Sequence, residues 1–162
     1  YHSRKALNSP PHITLQAPFE WVLDHVTVLE QSIKTFASTK TPVPVTLKDF
    51  GAFAPRVIYI NVLRTPELLA LQSDLLAHME ASCGIVDPVS KTRPFSPHIT
   101  VAYRDLTKPN FRAAWPEFQN RPLEFEFTEL KFDFTASQLT LLIHDGKQWT
   151  IHSEFPLLAN SL

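Results

Sequence analysis

The sequence predicts an α+β fold, duplicated into two lobes of strands and helices that face one another across a cleft. Three observations carry that expectation. Helix-type and strand-type hydrophobic periodicities alternate along the chain without a long linker. The tetrapeptide Pro-His-Ile-Thr occurs twice, at residues 11–14 and 97–100, each time heading a strand, a short loop, a helix and further strands. The C-terminal third then reads as successive alternating strands closed by a hairpin signal. A chain of 162 residues fits a single domain, 1–162, with a substantial core.

The elements follow in order. Residues 11–18 are expected as the first motif strand, closed by Pro18. Val26, Leu29, Ile33 and Phe36 fall on one stripe and predict a helix over about 22–37. Val43 to Phe53 is strand-like, its start marked by Thr41-Pro42 and Pro44, and Val57 to Leu63 alternates through Ile58, Ile60 and Val62. Thr65 as N-cap and Pro66 at the first helical position open a helix through Leu68, Leu71, Leu75 and Met79. Gly84 ends it. The second motif strand spans 97–103. Phe111, Trp115 and Phe118 predict a helix over 108–119, which Pro116 is expected to disturb or shorten. Strands through Leu123–Phe127, Leu130–Phe134 and Leu139–Ile143 come next, then the Asp145-Gly146 turn and a last strand through Trp149 and Ile151. Only eleven residues precede His12, and the chain starts at Tyr1 without a Met. A strand and a helix to match those before His98 are therefore missing from the first lobe, and the numbering is expected to begin inside a longer polypeptide.

Composition narrows the function. Fifteen basic and sixteen acidic side chains give a net charge of −1, so no broad positive field exists for tracking a long nucleic acid. A phosphate-bearing ligand of this chain is expected to be short or held locally. Cys83 is the only cysteine, which excludes an internal disulfide and suits a reducing compartment. It is read as a buried small residue rather than a nucleophile. No stretch has the length of a membrane span and no signal peptide is present, so the expectation is a cytoplasmic monomer.

The repeated motif carries the chemistry. Period-2 alternation puts His12 and Thr14 on one face of a strand backed by Ile13 and Leu15. His98 and Thr100, backed by Ile99 and Val101, repeat the arrangement. One strand histidine is ordinarily structural, but two copies heading comparable units favour function. Imidazole titrates near pH 6.5, so one ring serves as base while the other serves as acid. Cleavage of a phosphodiester needs both, on opposite sides of phosphorus, each positioned group being worth about 10²–10⁴-fold. Thr14 and Thr100 then supply donors to the non-bridging oxygens. Neither copy has a ligand at metal-binding spacing, so no metal and no cofactor is expected. Phe19 and Phe53 are read as core packing ahead of base contacts. His2, His25, His78, His144 and His152 lack the threonine partner and receive no role.

With two His-Φ-Thr-Φ motifs, Φ being apolar, the chain resembles the 2H phosphoesterase superfamily, in its bacterial branch of 2′-5′ RNA ligase-like enzymes. The resemblance extends beyond the motifs. Pro10 to Phe19 resembles the family's first motif with its Pro-Phe tail, Asp49 to Ile60 its Gly-x-Phe to Arg-Val strand pair, and Arg93 to Ala102 its second motif. It thins out after about residue 125. The family implies antiparallel sheets with outer helices around a central cleft. It also implies hydrolysis of 2′,3′-cyclic phosphate ends, or related cyclic phosphates and 2′-5′ linkages, to 2′-phosphates. By that resemblance His98 is the base, His12 the acid, and Thr14 and Thr100 hold the phosphate. The branch often carries Arg at the position of Tyr103, whereas here Arg104 follows it. Ala102 would continue the His98/Thr100 face, and spacing does not choose between Tyr103 and Arg104 as a substrate contact. Arg56, at a strand start, is a further substrate-binding candidate. The expected ligand is a short RNA end or small nucleotide. The rival readings are a phosphodiesterase for 2′-5′ oligonucleotides or ADP-ribose cyclic phosphate, and a non-catalytic nucleotide- or RNA-binding module.

Overall fold

The computed structural model describes residues 3–121 and 131–158 of the chain. The α+β class is borne out. Four antiparallel strands form one sheet: β1 (Val43–Phe53), β2 (Val57–Val62), β3 (His98–Ala102) and β4 (Lys131–Ala136), in the order β3-β2-β1-β4. β5 (Gln138–His144) and β6 (Trp149–Pro156) make a separate two-stranded sheet. The strand expected through Leu123–Phe127 lies outside the described residues.

Strand alternation splits the four-stranded sheet into an apolar and a polar face. Val43, Val45, Leu47, Ile60 and Val62 point to one side, where α1 (Val26–Ala37) and α2 (Pro66–Cys83) complete the main core. At the other end of the same face Ile58 packs with Leu106 and with Phe111 and Ala114 of α3 (Lys108–Asn120). The opposite side carries Thr46, Gly51, Phe53, Tyr59, Asn61, His98 and Thr100. Register fixes this assignment, since Gly51 pairs with Tyr59, Tyr59 with Thr100 and Asn61 with His98. The second motif's His98 and Thr100 thus stand on the polar face of the sheet.

The helices end where local chemistry ends them. In α2 the Thr65 hydroxyl accepts from Leu68 N at 3.3 Å, Pro66 needs no partner at the first turn, and Gly84 closes the helix at φ +67°. Only the α-helical part of the first expected helix is regular, with a 3₁₀ turn over Leu23–His25 ahead of it. Pro116 does not shorten α3, which runs on to Asn120. Its ring is exposed, so the Arg112 carbonyl deprived of a partner lies on the wet side of the helix. Phe111 and Ala114 stay buried on the other side. Cys83 is half-buried at the end of α2, against the main core.

Two outer attachments shape the cleft described below. The Asp145-Gly146 turn joins β5 to β6, with Asp145 Oδ1 accepting from Lys147 N and Gln148 N at 2.8 Å each and Gly146 at φ +95°. At the start of the chain, the 3₁₀ turn Lys5–Asn8 is moored to Asp105. That carboxylate accepts from Ser3 Oγ at 2.7 Å, Arg4 N at 2.6 Å and Lys5 N at 3.0 Å. Burial pushes the Asp105 carboxyl up, but the hydrogen bonds from Arg4, Ser3 and Lys5 outweigh it and hold it below its ordinary value. The mooring is therefore complete above about pH 3.9, the unfolded carboxyl value, and is lost as pH falls through the lower folded value. Asp105→Ala should expose Arg4 and Lys5 to trypsin several-fold faster at neutral pH, with the melting temperature little changed. Equal trimming of both proteins would show that the carboxylate holds nothing.

Candidate active site

The second motif sits as the alternation requires. Ile99 packs into the core, and His98 and Thr100 stand on the polar face. Pro97, fully buried, anchors the start, its carbonyl accepting from Val62 N at 3.3 Å. The His98 Nδ1–H donates to the Ser96 carbonyl at 2.8 Å. A carbonyl can only accept, so this bond fixes the tautomer and leaves Nε2 as the nitrogen with a free lone pair in the neutral ring. The imidazole rests in an aromatic corner, with the Tyr59 ring 5.0 Å and the Phe53 ring 5.2 Å away, centroid to centroid. Tyr59 and Phe53 themselves lie 4.5 Å apart. Phe53 is 46% exposed, so this ring belongs to the site's surface and not to the core in which the sequence reading placed it. Phe19, by contrast, packs against the main core.

Gly51 makes the corner possible. A Cβ at this position would lie 2.3 Å from Tyr59 Cε2 and 2.5 Å from its Cζ, so the ring lies directly on the glycine backbone. Gly51 belongs to the Gly-x-Phe pattern noted in the sequence, but neither its role nor Tyr59 is marked by residue type. The signal for them is register, because Gly51 faces Tyr59 across β1–β2 and Tyr59 faces Thr100 across β2–β3.

The first motif departs from expectation in its backbone and keeps it in its side chains. Residues 11–18 form no strand, since no neighbouring chain completes a ladder with them among the described residues. The in–out alternation survives all the same. Ile13 and Leu15 pack against the core that receives Ile99, while His12 and Thr14 are exposed. The His12 Nδ1–H donates to the carbonyl of Pro10 at 2.6 Å, two residues upstream, as His98 does to Ser96. The same local device thus holds Nδ1–H in both imidazoles and leaves Nε2 outside that bond. His12 and Thr14 line a groove of about 960 Å³ that reaches Ile99 at the back and His144 and Trp149 on the hairpin side. The Thr14 and Thr100 hydroxyls have no hydrogen-bond partner among the described residues.

The remaining candidates fall in two places. β3 ends at Ala102, and a register irregularity opposite Ile58 and Tyr59 turns Ala102 toward the α3 cluster together with Val101. Ala102 therefore leaves the His98/Thr100 face that simple alternation assigned to it. Tyr103 and Arg104 follow, Arg104 with a left-handed backbone at φ +59°, and both line a cleft of about 350 Å³ with Lys5, Lys147 and Trp149. The Arg104 guanidinium lies 5.4 Å from the Tyr103 ring centroid. Arg56 is exposed in the β1–β2 turn and lines neither the groove nor the cleft. Elsewhere, His78 bonds Ser32 at 2.9 Å and His152 lies 3.4 Å from Glu30 Oε1, both outside the two motifs.

This fold, with its two matched histidine–threonine motifs, is that of a phosphoesterase family. The model of the 2′-5′ RNA ligase superfamily matches residues 1–148, and the chain belongs to that superfamily. Among its relatives, a Bacillus thuringiensis protein is 32% identical over 150 residues, covering 91% of this chain and 79% of the relative. A Bacillus pumilus protein is 28% identical over 152 residues, covering 91% and 80%. Both bear the name "Putative phosphoesterase". Two solved structures share the fold at lower identity. TT0787 of Thermus thermophilus superposes with a TM-score of 0.60 at 19% identity, over 93% of this chain and 80% of its own. Escherichia coli LigT complexed with 3′-AMP superposes with a TM-score of 0.57 at 20% identity, over 91% and 76%. No helix of the described residues is long and apolar enough to cross a membrane.

Proposed function

We propose that the chain is a metal-independent phosphodiesterase that opens 2′,3′-cyclic phosphate ends of RNA or nucleotides to 2′-phosphates. The observation that carries this reading is the duplicated tautomer lock. In both motifs a backbone carbonyl two residues upstream holds Nδ1–H, leaving one Nε2 per motif for proton transfer. A binding module has no use for two imidazoles poised in the same way. That LigT was crystallised with ATP, NADP⁺ and 3′-AMP is in keeping with a nucleotide-type substrate.

In the proposed reaction His98 Nε2 takes a proton from water as the water oxygen bonds to phosphorus. The phosphorus–O3′ bond breaks on the far side, and His12, entering the step as the imidazolium with both ring nitrogens protonated, gives its Nε2 proton to the departing O3′. The Thr14 and Thr100 hydroxyls donate to the non-bridging oxygens, where charge gathers in the transition state. With a 5′-hydroxyl in place of water, the same groups in the same roles join the 5′-oxygen to phosphorus as the phosphorus–O3′ bond breaks, which accommodates a 2′-5′ RNA ligase activity. In the reverse cleavage O3′ attacks, the 5′-oxygen leaves and the two histidines exchange roles.

The test is turnover of 2′,3′-cyclic nucleotides, and of a short RNA ending in a cyclic phosphate, in EDTA. Phosphorus NMR assigns the product. A 2′-phosphate formed at an undiminished rate in EDTA is expected. A 3′-phosphate product, or activity abolished by the chelator and restored by a divalent cation, would refute the two-histidine scheme.

A further inference from the structure

The cleft beside the two motifs joins the substrate-contact candidates Tyr103 and Arg104 to Lys5, Lys147 and Trp149, which the proposed reaction leaves unused. Three cations reach it from three separate segments: Lys5 on the N-terminal 3₁₀ turn, Arg104 just past β3, and Lys147 at the β5–β6 tip. None has a carboxylate within ion-pair distance among the described residues. The nearest acids in sequence are engaged elsewhere: Asp105 accepts from the Ser3 hydroxyl and the Arg4 and Lys5 N–H groups, and Asp145 Oδ1 from the Lys147 and Gln148 N–H groups. Two flat rings complete the walls. Tyr103 lies against the Arg104 guanidinium, and Trp149 stands edge-on to His144 at 5.1 Å.

Location ties the cleft to the motifs. Tyr103 directly follows the strand that carries His98 and Thr100. His144 and Trp149 line both this cleft and the groove that holds His12 and Thr14. A chain of net charge −1 that gathers three unpaired cations around two rings has concentrated positive charge at one place. Cations along a phosphate path with aromatic faces for bases are what single-stranded nucleic acid requires.

We infer that this cleft is a second nucleotide subsite, taking the phosphate and base next to the cyclic end, so that the preferred substrate is an RNA strand of two or more nucleotides. This rests on the phosphodiesterase reading above and names its substrate class. One added phosphate engaged by these cations should steepen the logarithmic salt dependence of binding by about 0.7.

The experiment compares uridine 2′,3′-cyclic phosphate with the dinucleotide UpU ending in a 2′,3′-cyclic phosphate. The wild-type protein should turn over the dinucleotide with kcat/KM about tenfold higher, a gain of the size that one stacked base supplies. Lys147→Ala and Trp149→Ala should each cut that ratio several-fold. A parallel fluorescence titration uses 3′-UMP and UpU 3′-phosphate, which the reaction does not consume. Tighter binding of the dinucleotide, weakened by Lys147→Ala, supports the subsite even if neither cyclic substrate is cleaved, an outcome that would defeat only the catalytic reading. Equal affinity for the two probes, or a preference that both substitutions leave intact, overturns the subsite. Lys147 is exposed at a hairpin tip, so its loss leaves folding untouched.

Discussion

Alanine at His12 or at His98 should lower the turnover of a cyclic phosphate by about 10²–10⁴-fold in each case, with little change in KM. The two losses should not multiply in the double variant, because in the proposed reaction an acid without its base, or a base without its acid, has already forfeited the concerted transfer. The folded state should survive both changes. His12 is exposed and its one hydrogen bond is to a carbonyl that water can serve instead. His98 is half-buried and gives up two ring contacts, a cost on the order of 1 kcal/mol. Circular dichroism and a melting curve would confirm that the variants are intact before the rates are compared. A double variant that hydrolyses the cyclic ester at the wild-type rate would remove both histidines from the chemistry.

The comparison between the two motifs also shows where sequence patterns reach and where they stop. Thr65, Pro66 and Gly84 delimit α2 because caps are decided within one turn of chain, and the same holds for the Asp145-Gly146 hairpin. The alternation of His12 and Thr14 against Ile13 and Leu15 was equally legible. Whether residues 11–18 form a strand was not, because a strand is completed by a neighbour that local pattern does not name. Pro116 misleads for the converse reason. The penalty of an interior proline depends on whether the orphaned carbonyl meets water, and that follows from the helix's tertiary face. At the site, the repeat itself announced both histidines and both threonines. Their surroundings are long-range products: Tyr59 and Phe53 arrive by register from β1 and β2, and Lys147 and Trp149 arrive by way of a hairpin more than forty residues after His98. Phe53 could pass for core in the sequence because a strand-end phenylalanine is ordinarily buried. Only the pairing shows which way it faces.

Gly51→Ala should reduce turnover about tenfold or more while moving the melting temperature by only a few degrees. The added methyl would lie 2.3 Å from Tyr59 Cε2, far inside contact distance, so one of the two must move. Gly51 is held in the β1–β2 ladder opposite Tyr59, and Tyr59 is also paired with Thr100 of β3, whereas the obstructing atoms are the outer end of a half-exposed ring. The ring yields, and the stability cost stays near 1 kcal/mol, the low end for overpacking. Yielding has a consequence for His98, since the displaced ring can no longer lie 5.0 Å from the imidazole and 4.5 Å from Phe53 at once. The imidazole then keeps its Ser96 bond but loses the wall that fixes its tilt, and Nε2 drifts from the line of attack. Tyr59→Ala should cost a similar factor in kcat by removing that wall outright. In its background Gly51→Ala should cost almost nothing further, because no ring remains to be displaced. That non-additivity separates a positioning role from ordinary loss of packing. Independent, multiplying effects, or a large fall in melting temperature with kcat unchanged, would make Gly51 and Tyr59 structural residues only.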